Sequence, residues 1–468
     1  MELAREIMRP PSFMPVLLQN KDDSSTVHRW SVGSLTYGKA ALALLFCWLL
    51  WGDFAWSLKE RAIFPSMQIM FRKVDASDFL TGLLLGTVPA AISLFLAPWI
   101  GSRSDRCRSK WGRRIPYLIL PTPFIVLAMV GIAYAPEIGS ALNHWLGAMS
   151  PGKSASTLCT LGALWLFFEV GTIVANTVFT GLVNDVVPHC FLGRFFSLFR
   201  ALSLLAGIAF NFWIMGQVES HYRWIFIGIG LIYAVGMGTM CLNVREGNYP
   251  PPEPTSNNAI SSIGEYLSRC FGNSYYLLFF AGSMLAAMAL TPSYLFNIYY
   301  AKDLGMGMDS YGKCVAATYT ISLIIAYPLG ICVDRYHPLL LIIPALALNA
   351  LVNLCGALFV TDASTLALAF VGQGVCAGLY WTIGASLAPM LLPKERFLEY
   401  ASAMGLLVGL GTMLTHPLLG YFLDATGHQY RFLFWIAGGI AALSTIAFIC
   451  LYRRFQQLGG RTGYCPPT

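Results

Sequence analysis

The sequence predicts an all-α membrane protein, with twelve transmembrane helices set in two six-helix, pseudo-symmetric halves. Three observations carry this reading. Of the 468 residues, 56% are hydrophobic and only 11% are charged, a balance outside that of soluble globular chains. About 20 consecutive apolar residues suffice to cross a bilayer. Such windows recur near 45–71, 79–101, 115–135, 156–182, 194–216 and 223–243, then near 275–300, 311–333, 338–360, 364–391, 398–422 and 431–452. The second six windows also repeat landmarks of the first in register, as paired halves of carriers do.

Taken in order, residues 1–44 read as a cytosolic tail, polar and mixed in charge, with no cleavable signal. The first bundle occupies 45–244. A linker over 245–273 holds Pro250, Pro251, Pro252 and Pro254 and a Ser/Asn cluster, which marks a polar connection. The second bundle runs over 274–453, and 454–468 forms a second tail. Basic residues crowd the turn between spans two and three, and Arg194, Lys394, Arg396, Arg453 and Arg454 fall on the same side. The stretch 136–155 on the other side has only Lys153. The positive-inside rule therefore places both termini and the linker in the cytosol, and the chain in a plasma (bacterial inner) membrane. The net charge of +7 sits in these short loops and is no footprint for nucleic acid. The twelve cysteines are scattered without a C-x-x-C pair, and the seven histidines lack ligand spacing. Neither a disulfide framework nor a metal site is expected. His416, deep in a span, is expected to be a hydrogen-bonded interior residue.

The first span carries the most unusual stretch, with Asp53, Lys59, Glu60 and Arg61 in an apolar setting. A charge at the bilayer centre costs at least ~2.5–3.5 kcal/mol on insertion scales and marks a substrate or ion path. Pro65-Ser66 is echoed by Pro292-Ser293. The span before Pro292 continues past it, which argues that the charged triplet lies inside a span and not in a loop after Leu58. The matching positions Ala286, Ala287 and Met288 are apolar, so only the first half carries charge there. Asp53 and Glu60 are seven apart and share a helix face.

The most specific pattern is Gly101-x-x-x-Asp105-Arg106, followed by Ser109, Gly112, Arg113, Arg114 and Pro116. A partial copy stands at Gly330, Asp334 and Arg335. Gly101 would let helices approach closely. Asp105 would accept bonds from the arginines and sit against a helix N-terminus. Such a turn can latch one face and release it, a gating role. At these residues the chain resembles the major facilitator superfamily, and the Ser-Asp-Arg form resembles the glycoside–pentoside–hexuronide:cation symporters and the sucrose transporters grouped with them. The resemblance implies that spans one, four, seven and ten line a central cavity, and that the carrier is a monomer.

Span four holds Glu169 near its midpoint, sixteen residues before Asp185. Sucrose symporters carry their proton-coupling acid at that spacing, so the resemblance implies this role for Glu169. Burial, which favours the uncharged form of a carboxyl, agrees with it. A structural ion pair with Lys59, Arg61 or Arg200 is the competing reading. Those symporters also carry an Arg where this chain has Thr180, which puts sucrose itself in doubt. Gly52-Asp53-Phe54 resembles the Lys-Asp-Phe of melibiose-type symporters without its Lys, so Asp53 and Glu60 join Glu169 as candidate proton or cation groups. Lys59, Arg61 and Arg200 are candidate charge partners. Asn176, Tyr294, Asn297, Gln373, Tyr380 and Trp381 are candidate sugar contacts, with Asn211 and Tyr319 beside them; packing within the bundles is the competing role for each.

No phosphate-binding G-x-x-x-x-G-K-[ST] loop, nucleophile elbow or metalloprotease helix is present. The expectation is a carrier and not an enzyme, without a cofactor beyond a coupling proton or sodium ion. A proton-coupled symporter of a disaccharide or glycoside is the leading reading. A sodium-coupled or uncoupled carrier of an acidic sugar, organic anion or lysolipid, and a non-transporting membrane sensor, remain open.

Overall fold

The computed structural model describes residues 30–249, 266 and 268–467. Most of the expected N-terminal tail and the prolines of the linker lie outside the described residues. The described part opens with a hairpin, β1 (Trp30–Val32) and β2 (Leu35–Tyr37), paired antiparallel with Trp30 opposite Tyr37. Trp30 meets Phe191 edge to face, which docks residues expected in the tail onto the first bundle.

The spans are α1 (Lys39–Lys73), α2 (Asp78–Arg106), α3 (Ile115–Ala133) and α4 (Lys153–Val186). A helix of 55 residues, His189–Asn243, follows. A π turn at Phe210–Ile214 and a 3-10 turn at Met215–Gln217 divide it into α5 (His189–Ala209) and α6 (Val218–Asn243). The second half has α7 (Ser274–Asp303), α8 (Met308–Tyr336), α9 (Pro338–Phe359) and α10 (Ala363–Leu391). It closes with α11 (Phe397–Ala425) and α12 (Phe432–Gln457). Each expected span is present, and most run a few residues further at their polar ends. Hydropathy fades there, but the backbone must still bond within the helix. The stretch 136–155, which falls between the third and fourth expected spans, mostly forms a short helix, Ala135–Leu146.

Local chemistry sets several of these ends. Arg72 and Lys73 fill the last turn of α1, where cations complement the helix dipole. Ser77 caps α2, accepting from the Leu80 N–H at 3.2 Å. Asp362 caps α10 in a reciprocal capping box with Thr365. Pro65 and Pro292 both lie inside continuous helices, so the charged triplet of α1 sits within one unbroken span.

Within the first half α1 packs on α5 and α6, and α3 on α4 and α6. In the second half α7 packs on α11 and α12, and α9 on α10 and α12. The halves meet through α2 on α11 and α5 on α8. The α2–α11 crossing depends on glycine. A Cβ on Gly420 would lie 2.2 Å from the Asp78 carbonyl oxygen, and one on Gly82 would lie 2.4 Å from that of His416. His416 thus serves as part of the surface between the halves.

Candidate functional site

Among the described residues, the hydrogen bonds and ion pairs joining the halves lie at two levels. The first is mid-span. Arg61 of α1 donates to the Tyr319 hydroxyl of α8 at 3.0 Å, and Arg200 of α5 donates to the Thr382 hydroxyl of α10 at 3.0 Å. The second is the end of the molecule bearing the 73–78 turn, here called the far end. Gln68 donates to the Leu295 carbonyl at 2.8 Å and Lys302 pairs with Glu219 at 2.5 Å, while Thr87, bonded to the Met413 carbonyl at 2.8 Å, belongs with the mid-span level. Beyond mid-span toward the basic turns, no such bond crosses between described residues. The molecule is closed at the far end.

Tyr294 marks the centre. It stacks on Phe64 of the other half at 4.5 Å between ring centroids, and Glu60, Arg61, Glu169 and Tyr319 all lie close enough to act on its hydroxyl electrostatically. Even so, it is 61% exposed. A side chain flanked by both halves and still exposed faces an open space between them. Glu60 and Asn176 are exposed as well, and Trp381, beside Thr382, is 56% exposed. Glu169, Thr172 and Asn176 follow one another at helical spacing on α4 and so present one face.

Lys59 turns away from that space. Fully buried, it donates to the Thr172 hydroxyl at 3.1 Å and lies 3.7 Å from the centre of the Trp56 ring, with Phe168 and Tyr233 nearby. Aromatic faces stabilise a desolvated ammonium by about 2 kcal/mol. Among the described residues no carboxylate lies within 4.0 Å of it, and Glu60 and Glu169 act on it from further away. Arg61 also reaches Ser203, at 3.4 Å, and Arg200 lies within electrostatic range of Arg61. Asp53 does not pair with Arg200. It is fully buried, with one oxygen accepting from Ser57 at 3.2 Å and the other without a partner among the described residues.

Several expected contacts are committed elsewhere. Asn297 and Gln373 are buried and joined to each other at 3.2 Å, and Gln373 donates to Asn353 at 2.7 Å, which donates to Asn349 at 3.0 Å. This amide ladder ties α7, α9 and α10 inside the second half, so neither side chain reaches the central space. The Tyr380 hydroxyl points to the Ser283 carbonyl at 3.5 Å, and Asn211 donates to the Gly207 carbonyl of its own helix at 2.8 Å.

The basic turn forms a closed charge network. Arg113 grips Asp185 through two bonds, at 2.9 and 2.5 Å. Arg114 bonds Asp185 at 3.1 Å, Ser104 at 2.5 Å, and Asp105. Arg106 is exposed and joins none of these bonds. The anion at the N-terminus of α3 is not Asp105. The Glu246 carboxylate takes that place, accepting the N–H groups of Arg113, Arg114 and Ile115 at 2.8–2.9 Å. Gly112 turns there at φ 105°, with Glu246 against its α-carbon. Gly101 is not forced by close approach, since an added Cβ would meet Thr177 at 3.8 Å. Tyr249 lays its ring over Arg113 at 3.9 Å, and burial pushes its hydroxyl up to about 12. The second copy builds no such network. Gly330 has open space, Asp334 and Arg335 are exposed, and among the described residues neither makes an ion pair. Only His337 separates α8 from α9, so this turn carries no basic segment of its own to set against Asp334.

At the far end the structure assembles residues that sequence reasoning missed. Asp424 at the end of α11 accepts the N–H groups of Asp78 and Phe79, both at 2.9 Å. Asp78, fully buried, accepts from Tyr430 and meets His428 Nδ1 at 2.7 Å, while Arg72 donates to Tyr430 at 3.1 Å.

Comparisons agree with this architecture. A solved bacterial homolog of the human lysosomal transporter Spinster, inward-facing and unoccupied, superposes with a TM-score of 0.66 at 12% identity, covering 92% of this chain and all of that one. A D-xylose–proton symporter gives 0.62 at 15% identity, covering 87% and 97%. The chain has the major facilitator fold. The family model described as Major Facilitator Superfamily matches residues 278–460. Sucrose transport protein SUT1 of Oryza sativa subsp. japonica is 35% identical over 91 residues, 19% of this chain and 16% of that protein. Sucrose transport protein SUC4 of Arabidopsis thaliana is 30% identical over 128 residues, 26% of this chain and 24% of that one. The chain thus spans less than a quarter of the length of these curated relatives. The matched proteins are transporters, not enzymes.

Proposed function

We propose that this chain is a secondary carrier that moves a sugar together with a proton by alternating access. The carrying observation is the polar centre between two halves whose described residues are bonded at mid-span and at the far end only. There Glu60, Glu169, Arg61 and Arg200 of the first half face Tyr294, Tyr319 and Thr382 of the second. With the basic turns in the cytosol, the far end is external and this is the inward-open state. The sucrose transport proteins that the chain partly matches support a sugar as cargo.

In this reading Glu169 takes a proton from outside. Arg61 and Arg200 then exchange their bonds to Tyr319 and Thr382 for sugar hydroxyls, since charge-assisted bonds are stronger than neutral ones. Lys59, held by Thr172 and the Trp56 ring, provides a fixed positive charge beside Glu169. The loaded and empty forms isomerise, and the half-loaded form does not. One observation favours a second reading: among the described residues neither Arg61 nor Arg200 has a carboxylate within 4.0 Å, an arrangement suited to an acidic sugar or organic anion.

The test is transport in liposomes with a trapped pH dye. Internal acidification on adding one neutral sugar, lost in Glu169→Gln while sugar counterflow persists, is the expected result. A signal from glucuronate alone, or from sodium alone, would overturn the sugar–proton reading in favour of the second.

A further inference from the structure

The cluster at the far end brings together side chains that can ligate a metal ion. Asp78, Asp424 and His428 bring one ligand atom each within 4.8 Å of one another. His428 Nδ1 lies 2.7 Å from Asp78 and 3.9 Å from Asp424. Two ligands on a tetrahedral zinc ion, with bonds of about 2.0–2.2 Å, stand about 3.4 Å apart, and both His428 separations lie within about 0.7 Å of that spacing. Asp78 is fully buried, and among the described residues no Lys or Arg lies within 4.0 Å of either carboxylate. Arg72 reaches only as far as the Tyr430 hydroxyl. A neutral imidazole leaves two carboxylates in this pocket, met by uncharged donors: the first N–H groups of α2 and the Tyr430 hydroxyl.

The surrounding bonds hold the carboxylates in place. Asp424 is fixed by two backbone N–H groups and Asp78 by the Tyr430 hydroxyl. Ligating carboxylates are commonly oriented by such outer contacts. The His428 side chain is 47% exposed, which gives an ion a route from the surface. One imidazole with two carboxylates suits a first-row divalent metal better than calcium or magnesium, which prefer oxygen alone.

We propose that Asp78, Asp424 and His428 form a zinc-binding site that exists only while the far end is closed. Asp78 comes from the first half, and Asp424 and His428 come from the second. Separation of the halves takes the ligand set apart. Zinc therefore binds the closed form preferentially and holds it, and a carrier held in one form stops cycling. The sequence concealed this set because 346 residues separate Asp78 from Asp424.

The experiment uses the purified full chain without sugar, titrated with zinc against a chromophoric chelator, so its outcome does not depend on the transport reading. Spin labels at Lys153 and Ser310, exposed residues of opposite halves near the far end, report closure in a cysteine-free background. One zinc per chain and a narrower, shorter label distance with zinc are expected. His428→Asn is the main variant because Asn tolerates the φ of 60° found here. It should weaken zinc at least tenfold, the scale already reached on losing an outer contact to a ligand. His428→Cys, which supplies a thiolate, should retain it. Failure of the wild type to bind zinc, unchanged affinity in His428→Asn, or a label distance indifferent to zinc would each overturn the proposal.

Discussion

Replacing Gly420 with alanine should shift the carrier toward the form open at the far end. The added methyl carbon would lie 2.2 Å from the Asp78 carbonyl oxygen, 2.5 Å from its carbon and 2.7 Å from the Phe79 α-carbon. These are backbone atoms of α2, so no side chain can rotate out of the way. Contact at an ordinary distance requires α2 and α11 to part by about 1 Å, which also strains the bonds from Asp424 to the start of α2. Overpacking of this kind costs about 1–3 kcal/mol. The cost falls on the closed form alone, so the ratio of closed to open molecules drops about 5- to 150-fold. Gly405 provides the control. It lies on the same helix with no atom within 4 Å of an added Cβ, so Gly405→Ala should leave the equilibrium in place. The assay is the distance distribution between labels at Lys153 and Ser310. Wild type and Gly405→Ala should share one distribution, and Gly420→Ala should add population at longer distance. An unchanged distribution in Gly420→Ala would refute the idea that this crossing sets the closed form.

Three further outcomes follow from named contacts. Glu246→Ala should free the three N–H groups at the start of α3, costing about 1–3 kcal/mol; the check is a lower thermal midpoint, with faster amide exchange at Arg113–Ile115 and recovery in part by Glu246→Gln. Gln373→Ala should leave the Asn297 Nδ2 and the Asn353 Oδ1 unpaired and cost about 1–3 kcal/mol for each. It should lower the thermal midpoint without altering which sugar competes in counterflow, whereas a changed sugar preference would return Gln373 to the substrate site. The carboxyl of Asp362 is held below the usual range by the N–H groups of Thr365 and Ser364. Its capping contribution is therefore complete above the ordinary Asp range near pH 4 and is lost as pH falls through the lowered value. The midpoint gap between wild type and Asp362→Ala should be constant near neutrality and shrink in acid.

The spans were legible because a bilayer tolerates only long apolar helices, and the echo of Pro65 at Pro292 placed Lys59, Glu60 and Arg61 within α1. Arg113, Arg114 and Asp105 formed the expected network for a similar reason, since opposite charges close together in sequence have few other partners in a turn. The facing of polar groups was not legible. Asn297 and Tyr294 are three residues apart on α7, yet one is sealed in an amide ladder and the other faces the central space. Hydropathy treats both as polar residues in a span. Glu246 was hidden in a polar stretch whose acid gains meaning only when the chain returns to α3. Asp78, Asp424 and His428 meet only because α2 packs on α11. The repeated motif misled because sequence similarity at Gly330, Asp334 and Arg335 did not include the basic segment that completes the network in the first copy.

The uneven loading of the two halves bears on how the chain is made. Each charged residue near the bilayer centre costs at least ~2.5–3.5 kcal/mol on insertion scales, and α1 carries four between Asp53 and Arg61. The hydroxyl that receives Lys59 is on α4, and the one that receives Arg61 is on α8. When α1 leaves the translocation machinery, neither helix has yet been synthesised. The first span must therefore wait at the lipid boundary, or remain with the machinery, until its later partners arrive. The apolar core of α7, with an amide ladder completed by α9 and α10, carries no comparable delay. Integration of α1 should thus depend on helices of both halves, and lesions in α4 should be felt first as failure of α1 to integrate.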